Sequence, residues 1–217
     1  MTTRTTPPSK PPIYDAFAPH YERALRPLER LILTRLRAAT LRALRDEGDG
    51  GRDDGGDGGI RLLEIGAGTG LNFPHYPPGA HGAATEPSRE MLRRAQTKPR
   101  PAAVRLVQTN AEALPFADDT FDAAFATLVF CSVASPPKAF AELRRVVRAG
   151  GRVVLLEHVR PPGLLAPVFD LISRLTVRLC EDHFNRRTAD EARRAGLRII
   201  SVEPHALGII QLIVCEV

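Results

Sequence analysis

Residues 60–70, Ile-Arg-Leu-Leu-Glu-Ile-Gly-Ala-Gly-Thr-Gly, restrict the fold more than any other stretch of the chain. Ile60, Leu62, Leu63 and Ile65 form a short apolar run suited to a strand buried on both faces, as in a parallel sheet. Gly66, Gly68 and Gly70 follow at once. A turn built from glycine can take positive φ and lets a ligand lie against bare backbone. Leu71–Tyr76 then reads as a helix start whose free N–H groups face the same space. A strand that ends in such a turn points to a nucleotide-bearing ligand.

The spacing narrows the ligand. The dinucleotide fingerprint asks for glycine at positions one, three and six, but the sixth position here is Leu71. Glu64 stands two residues before the first glycine, where a carboxylate repels a pyrophosphate and suits an ammonium or sulfonium. Glu86, twenty-two residues further on, closes a second apolar stretch, Ala80–Thr85. An acidic residue at that strand end can accept both hydroxyls of a ribose.

Downstream, strand-like and helix-like patterns alternate. Strands are expected near 60–65, 81–85, 104–108, 122–127, 152–157, 197–203 and 209–215, and helices near 70–74, 88–96, 136–148 and 188–195. Such alternation predicts an α/β fold: a mostly parallel sheet with helices on both faces and ligands at the carboxyl ends of the strands. The segments LLEIGAGTG, TEPSREMLRRA, NAEALPFADDTFDAAFA and ELRRVVRAGGRVVLLE follow in order across residues 60–157. They resemble the successive motifs of class I S-adenosylmethionine-dependent methyltransferases. The resemblance implies a Rossmann-like sheet of seven strands, the last antiparallel, in a domain over residues 60–217.

It also implies site residues. Glu64, Gly66, Ala67, Gly68, Gly70 and Asn72 are expected around the methionine portion and ribose of S-adenosylmethionine, and Glu86 on the ribose hydroxyls with Pro87 beside the adenosine. Asn110, Ala111 and Glu112 occupy the place where relatives carry Asp-Ala-Glu near adenine; the Asn110 carbonyl can still accept from the amine. Thr127 and Leu128 are expected beneath the sulfonium. YDAFAPHYE, with Tyr14 and Tyr21, resembles the entrance segment of small-molecule methyltransferases, in which a tyrosine closes over cofactor and acceptor; Pro19 argues against one unbroken helix there. Glu157 and His158 end the fifth strand, where reacting groups gather, and His158 suits either proton transfer or a structural hydrogen bond. The donor of such a reaction is already activated, so positioning and water exclusion are required of the protein, and no metal is expected.

The charge is unevenly distributed. Seven arginines (23, 26, 30, 35, 37, 42, 45) against two glutamates between Glu22 and Arg45 equal the net charge of the whole chain, +5. Leu25, Leu28, Ile32, Leu36, Ala39 and Ala43 recur at helical steps, with Arg23, Arg30 and Arg37 on another face. The segment 13–45 is thus an amphipathic helical cover. It either meets an anionic membrane surface or packs on the sheet with a solvated basic face. Residues 1–12, with four prolines, are expected to be a disordered tail, and residues 46–59, rich in Gly and Asp, a mobile tether in preference to a calcium loop. The insertion 161–187 carries an apolar face (Leu165, Val168, Phe169, Ile172, Leu175, Leu179) that fits core packing or a lid over an acyl or prenyl substrate. His183, Arg186 and Arg187 close it and could hold an anionic head group.

No run reaches the roughly 18 apolar residues of a membrane span, and no apolar secretory core is evident at the start. Cys131, Cys180 and Cys215 are too few and too scattered for a disulfide framework or a zinc site. A cytoplasmic, monomeric enzyme attached to the membrane periphery is expected. Within the superfamily, LNFPHYPPGA, ATLVFCSV and LLEHV look most like bacterial phosphatidylethanolamine N-methyltransferases and membrane-associated thiol S-methyltransferases, with quinone-biosynthesis C-methyltransferases slightly further off. A lipid-like acceptor is expected, phosphatidylethanolamine first. A nicotinamide-dependent reductase and a non-catalytic membrane or partner-binding module are the rivals. A nucleic-acid partner is not expected, for no basic groove interleaved with aromatics is present.

Overall fold

The computed structural model describes residues 26–44, 59–160 and 186–217, together with 15, 22, 23, 167, 169–171 and 173. Seven strands form one sheet: β1 (Arg61–Ile65), β2 (His81–Glu86), β3 (Val104–Gln108), β4 (Phe121–Thr127), β5 (Val147–His158), β6 (Arg198–His205) and β7 (Ile210–Glu216). Their order is β3-β2-β1-β4-β5-β7-β6. All pairings are parallel except those of β7, which runs antiparallel to β5 and β6. The chain moves outward from β1 through β2 to β3 and then restarts on the other side of β1 with β4. The crevice at the carboxyl ends of β1 and β4 is therefore the point at which the winding reverses, and ligands bind at such points in open α/β sheets.

Alternation along the strands builds two cores. Leu63, Ala124, Val153, Leu155 and Ile213 face α3 (Pro136–Val146) and α4 (Thr188–Arg194), meeting Phe140, Leu143 and Ala192. Leu62, Phe125, Val154, Leu156 and Leu212 face α1 (Thr34–Arg42) and its flanks, meeting Leu33, Leu36, Leu41 and Leu44. Each leucine so buried contributes roughly 1.5–3 kcal/mol, which ties the N-terminal helix to the sheet. The remaining helix, α2 (Arg89–Gln96), is capped by Ser88, whose Oγ accepts the N–H of Met91 at 3.2 Å.

Three expectations are corrected. The helix expected at 70–74 is a single 3₁₀ turn, Phe73–His75, because Gly70 is left-handed (φ 82°) and Pro74 leaves little regular helix to build. The helix expected to run to 148 ends at Val146, since Val147 is extended and pairs with Phe121 at the start of β4. The N-terminal helix also shows a different face from the expected one. A π-turn spans Glu29–Leu33, with the N–H of Thr34 reaching back to the carbonyl of Glu29, and it adds one residue to the winding. From its last residue onward the buried positions follow regular helical steps: Leu33, Leu36, Arg37, Thr40, Leu41 and Leu44. Arg37 is thus interior, not solvated beside Arg23 and Arg30, while Leu28 and Leu31 are exposed.

Candidate donor site at the carboxyl ends of β1, β2 and β4

Glu64 is the last residue but one of β1 and lies, like Leu62, on the side covered by α1. It is fully buried. Its Oε1 accepts from Asn72 Nδ2 at 2.6 Å, and its Oε2 from the hydroxyl of Tyr76. Burial pushes the Glu64 carboxyl above the ordinary carboxylate range, while the Asn72 and Tyr76 hydrogen bonds and the nearby Arg37 charge hold the shift back. Tyr76 is driven well above its usual range by burial and by Glu64, so it remains a donor.

Arg37 enters this cluster from α1 with only 3% of its surface exposed. Its Nη1 donates to Asn72 Oδ1 (2.9 Å) and to Thr127 Oγ1 (2.7 Å), and its Nε pairs with Glu29 Oε1 at 2.9 Å. Asn72 Nδ2 also donates to Thr127 Oγ1 at 2.9 Å. Four segments of the chain, α1, β1, the turn after it and the end of β4, thus meet on one amide.

The glycine turn bends between Glu64 and Glu86. A Cβ at Gly68 (φ 56°) would meet nothing within 4 Å, so open space lies beside this backbone. Glu86, 7% exposed, accepts the N–H of Gly68 on Oε2 (3.0 Å) and that of Ser88 on Oε1 (2.9 Å). Each carboxylate oxygen keeps a second lone pair for a vicinal diol. Burial raises the Glu86 carboxyl to about 7 against the two backbone hydrogen bonds, with Glu64 and Asp15 adding to the rise. Ala67 is buried and its N–H reaches the carbonyl of Thr85 at 2.8 Å, while the Pro87 carbonyl receives Gln108 Nε2 at 3.1 Å. A diol acceptor at Glu86 and unobstructed backbone at Gly68 fit the S-adenosylmethionine that the sequence implies, whereas Glu64 is fully buried and bonded to Asn72 and Tyr76, so it acts on the crevice through its charge alone.

The N-terminal segment crosses the same region. Asp15 accepts from the hydroxyl of Ser88 and, at 3.3 Å, from the N–H of Glu90. Glu22 accepts from Lys98 Nζ at 2.5 Å, and Lys98 reaches Thr69 of the turn at 3.4 Å. Tyr14 and Tyr21, the expected lid tyrosines, and His183 lie outside the described residues.

Leu128, at the end of β4, adopts a left-handed backbone (φ 57°) that costs a non-glycine residue about 1–2 kcal/mol. The loop beyond it is held by Glu157, wholly buried, whose Oε1 accepts the N–H groups of Val129 (3.0 Å) and Phe130 (3.1 Å). His158 is half-buried and pairs in register with Ile210. Cys131 is buried in the same loop. Asn110 is exposed and its Oδ1 accepts the N–H of Glu112 at 3.0 Å; Glu112 in turn accepts the N–H of Ser135 at 2.9 Å, and Ala111 packs on the core. Arg186 and Arg187 line a cleft of about 710 Å³ with Arg144, Glu191 and Arg194, between α3 and α4, on the face opposite α1. Arg186 donates to the carbonyl of Val133 at 2.6 Å, which keeps it near the loop after β4.

Arg37 and Tyr76 are functional candidates that sequence patterning did not supply. Arg37 shares a buried helical face with apolar Leu33, Leu36, Leu41 and Leu44, where an arginine is not expected, and Tyr76 is visible only as an aromatic twelve residues past Glu64. Among the described residues, no group of three metal-binding side chains is assembled and no helix is long and apolar enough to cross a membrane.

Comparison with known proteins agrees with this geometry. Residues 63–155 match the family model described as a methyltransferase domain. A ubiquinone/menaquinone biosynthesis C-methyltransferase of Syntrophotalea carbinolica is 34% identical over 75% of this chain and 67% of its own length. A thiol S-methyltransferase of Homo sapiens is 37% identical over 50% of this chain and 46% of its own length. A phosphatidylethanolamine N-methyltransferase of Cereibacter sphaeroides is 37% identical over 54% and 60%. The chain therefore spans less than two thirds of the length of these last two relatives. A solved Thermotoga maritima structure described as a possible histamine N-methyltransferase superposes with a TM-score of 0.70 at 21% identity, covering 94% of this chain and 97% of that one. At that identity the likeness is one of fold.

Proposed function

The chain belongs to the class I S-adenosylmethionine-dependent methyltransferases, and from that premise we propose that it methylates the amine of phosphatidylethanolamine at the surface of an anionic bilayer. The observation that carries this reading is the outer side of the N-terminal helix. Leu31 is 78% exposed and Leu28 42%, and Arg26, Arg30 and Arg35 beside them are exposed too. Each basic residue near an anionic surface contributes about 1 kcal/mol, and each inserted leucine up to roughly 1.5–3 kcal/mol. That supports reversible attachment. The same helix carries Arg37 into the donor crevice, so a docked helix would stand the reaction site against the lipid.

S-adenosylmethionine supplies a methyl group on a sulfonium already activated for displacement. The charge of Glu64 would favour its ammonium and Glu86 would hold its ribose hydroxyls, with Pro87 and the Asn110–Glu112 turn beside the adenosine, and Thr127 and Leu128 beneath the reacting carbon. The amine must be neutral to attack, because an ammonium has no lone pair. His158, at the end of β5, is the group we assign to take that proton, with Glu157 fixing the loop opposite it. Tyr14 and Tyr21 would close over donor and amine to exclude water. The enzyme would then work as a monomer at the membrane periphery on the cytoplasmic side.

The test offers three acceptors in parallel: phosphatidylethanolamine in vesicles containing phosphatidylglycerol, an alkyl thiol and a demethylated quinone. Mass spectrometry is expected to find N-methylated phosphatidylethanolamine. Transfer to the thiol or the quinone alone would replace this reading with the S- or C-methyltransferase one, and transfer to none would leave a binding module.

A further inference from the structure

We infer that Arg37 is a positioning residue for the amino-acid end of the methyl donor, and that donor binding therefore depends on the N-terminal helix being seated. The inference rests on the crevice being the donor site, and not on which acceptor is used.

Arg37 can only donate. Its bond to Asn72 Oδ1 settles which way that amide is turned, so Nδ2 must face Glu64 and Thr127, as it does at 2.6 and 2.9 Å. Thr127 Oγ1 accepts from both Arg37 and Asn72, which occupies both of its lone pairs. Its own proton is then left to donate, and it donates to none of the described residues. Thr127 sits at the carboxyl end of β4 in the crevice. The committed hydroxyl donor at Thr127 matches the carboxylate of an α-amino acid, and the Glu64 charge, bonded to the same nitrogen from behind, favours the adjacent ammonium without touching it. Without Arg37 the amide could rotate and the hydroxyl could turn back to satisfy Asn72, so the donor to the carboxylate would be lost. The charged and titratable groups around Glu64 are Arg37 from α1, the protonated Tyr76 from the turn after β1 and Glu86 from β2, and Arg37 is itself balanced by Glu29.

The test compares two ligands by isothermal titration: S-adenosylhomocysteine, which has the amino-acid end, and 5′-methylthioadenosine, which lacks it. Arg37→Met is expected to weaken S-adenosylhomocysteine about tenfold or more and to leave methylthioadenosine within about twofold. Thr127→Val, close in shape, is expected to give the same pattern and carries the test if Arg37→Met does not fold. Arg37→Lys, which keeps charge but not the fork, should recover part of the loss. Equal weakening of both ligands would make Arg37 a purely structural residue, and no weakening of either would remove it from the donor site; both results overturn the inference. If the unsubstituted chain binds neither ligand, the donor site itself is refuted and this inference with it.

Discussion

Glu86 holds the backbone N–H of Gly68 at 3.0 Å, so the residue that closes β2 and the middle glycine of the turn act as one unit. Ribose hydroxyls donate to a carboxylate and thus favour its ionised form, whereas burial has raised this carboxyl to about 7. Affinity for S-adenosylhomocysteine should therefore rise up to tenfold per pH unit below about 7 and level off above it. The unliganded fold responds in the opposite sense. A carboxyl whose folded value exceeds its unfolded one stabilises the fold when protonated, and that contribution fades as pH rises from the ordinary carboxyl range through about 7. Titration at pH 6, 7 and 8 checks the first statement, and Glu86→Gln should flatten the profile.

Gly68 and Gly70, two glycines of one turn, should answer differently to the same substitution. At Gly68 a Cβ meets nothing, so Gly68→Ala should cost stability only the roughly 1–2 kcal/mol of its left-handed backbone, while the methyl intrudes on donor space and weakens S-adenosylhomocysteine about tenfold. At Gly70 (φ 82°) a Cβ would stand 2.4 Å from the Phe73 ring. Gly70→Ala should add overpacking of about 1–3 kcal/mol to the backbone term. Melting curves and titration together separate the two.

Glu157→Ala should be destabilising. It leaves the N–H groups of Val129 and Phe130 without their acceptor, next to a left-handed Leu128. An unsatisfied buried donor costs about 1–3 kcal/mol, and for a domain of this size each kcal/mol lowers Tm by roughly 2–4 °C. Glu157→Gln retains an amide oxygen able to accept both groups and should lose much less. Thermal unfolding of the pair decides the matter.

Leu31→Asp changes a side chain that is 78% exposed, so Tm should stay within about 2 °C. Co-sedimentation with vesicles containing phosphatidylglycerol should fall several-fold, and should fall further with added salt if the neighbouring arginines share the contact. Unchanged sedimentation would separate this helix from any lipid.

Much of the fold could be read in advance because its signals are local. The run Leu62–Ile65 ending in glycines, and Glu86 closing the next apolar stretch, place two strands and both carboxylates within short windows. Six of the seven strands begin and end within two residues of their expected windows for the same reason; β5 starts five residues early, where Val147 pairs with Phe121. Arg37 escaped because the stripe traced from Leu28 and Ile32 loses its phase at the π-turn, beyond which the buried face is Leu33, Leu36, Arg37, Thr40, Leu41 and Leu44. Tyr76 escaped because a helix was expected where Gly70 and Pro74 permit only one 3₁₀ turn. The hydrogen bonds of Glu157 depend on the register between β4 and β5, a long-range pairing that residue patterning does not encode.

The five-residue turn at Glu29–Leu33 also sets a phase. Each residue in a regular helix advances the winding by about 100°, so deleting one residue there would swing everything upstream by that angle while Arg37 stayed in place. Leu28 and Leu31 would then leave their present heading and no longer lie on the side away from the sheet. A single extra residue thus decides which way the outer leucines look, while Leu36, Thr40, Leu41 and Leu44, buried on its own stretch of helix, keep Arg37 inside.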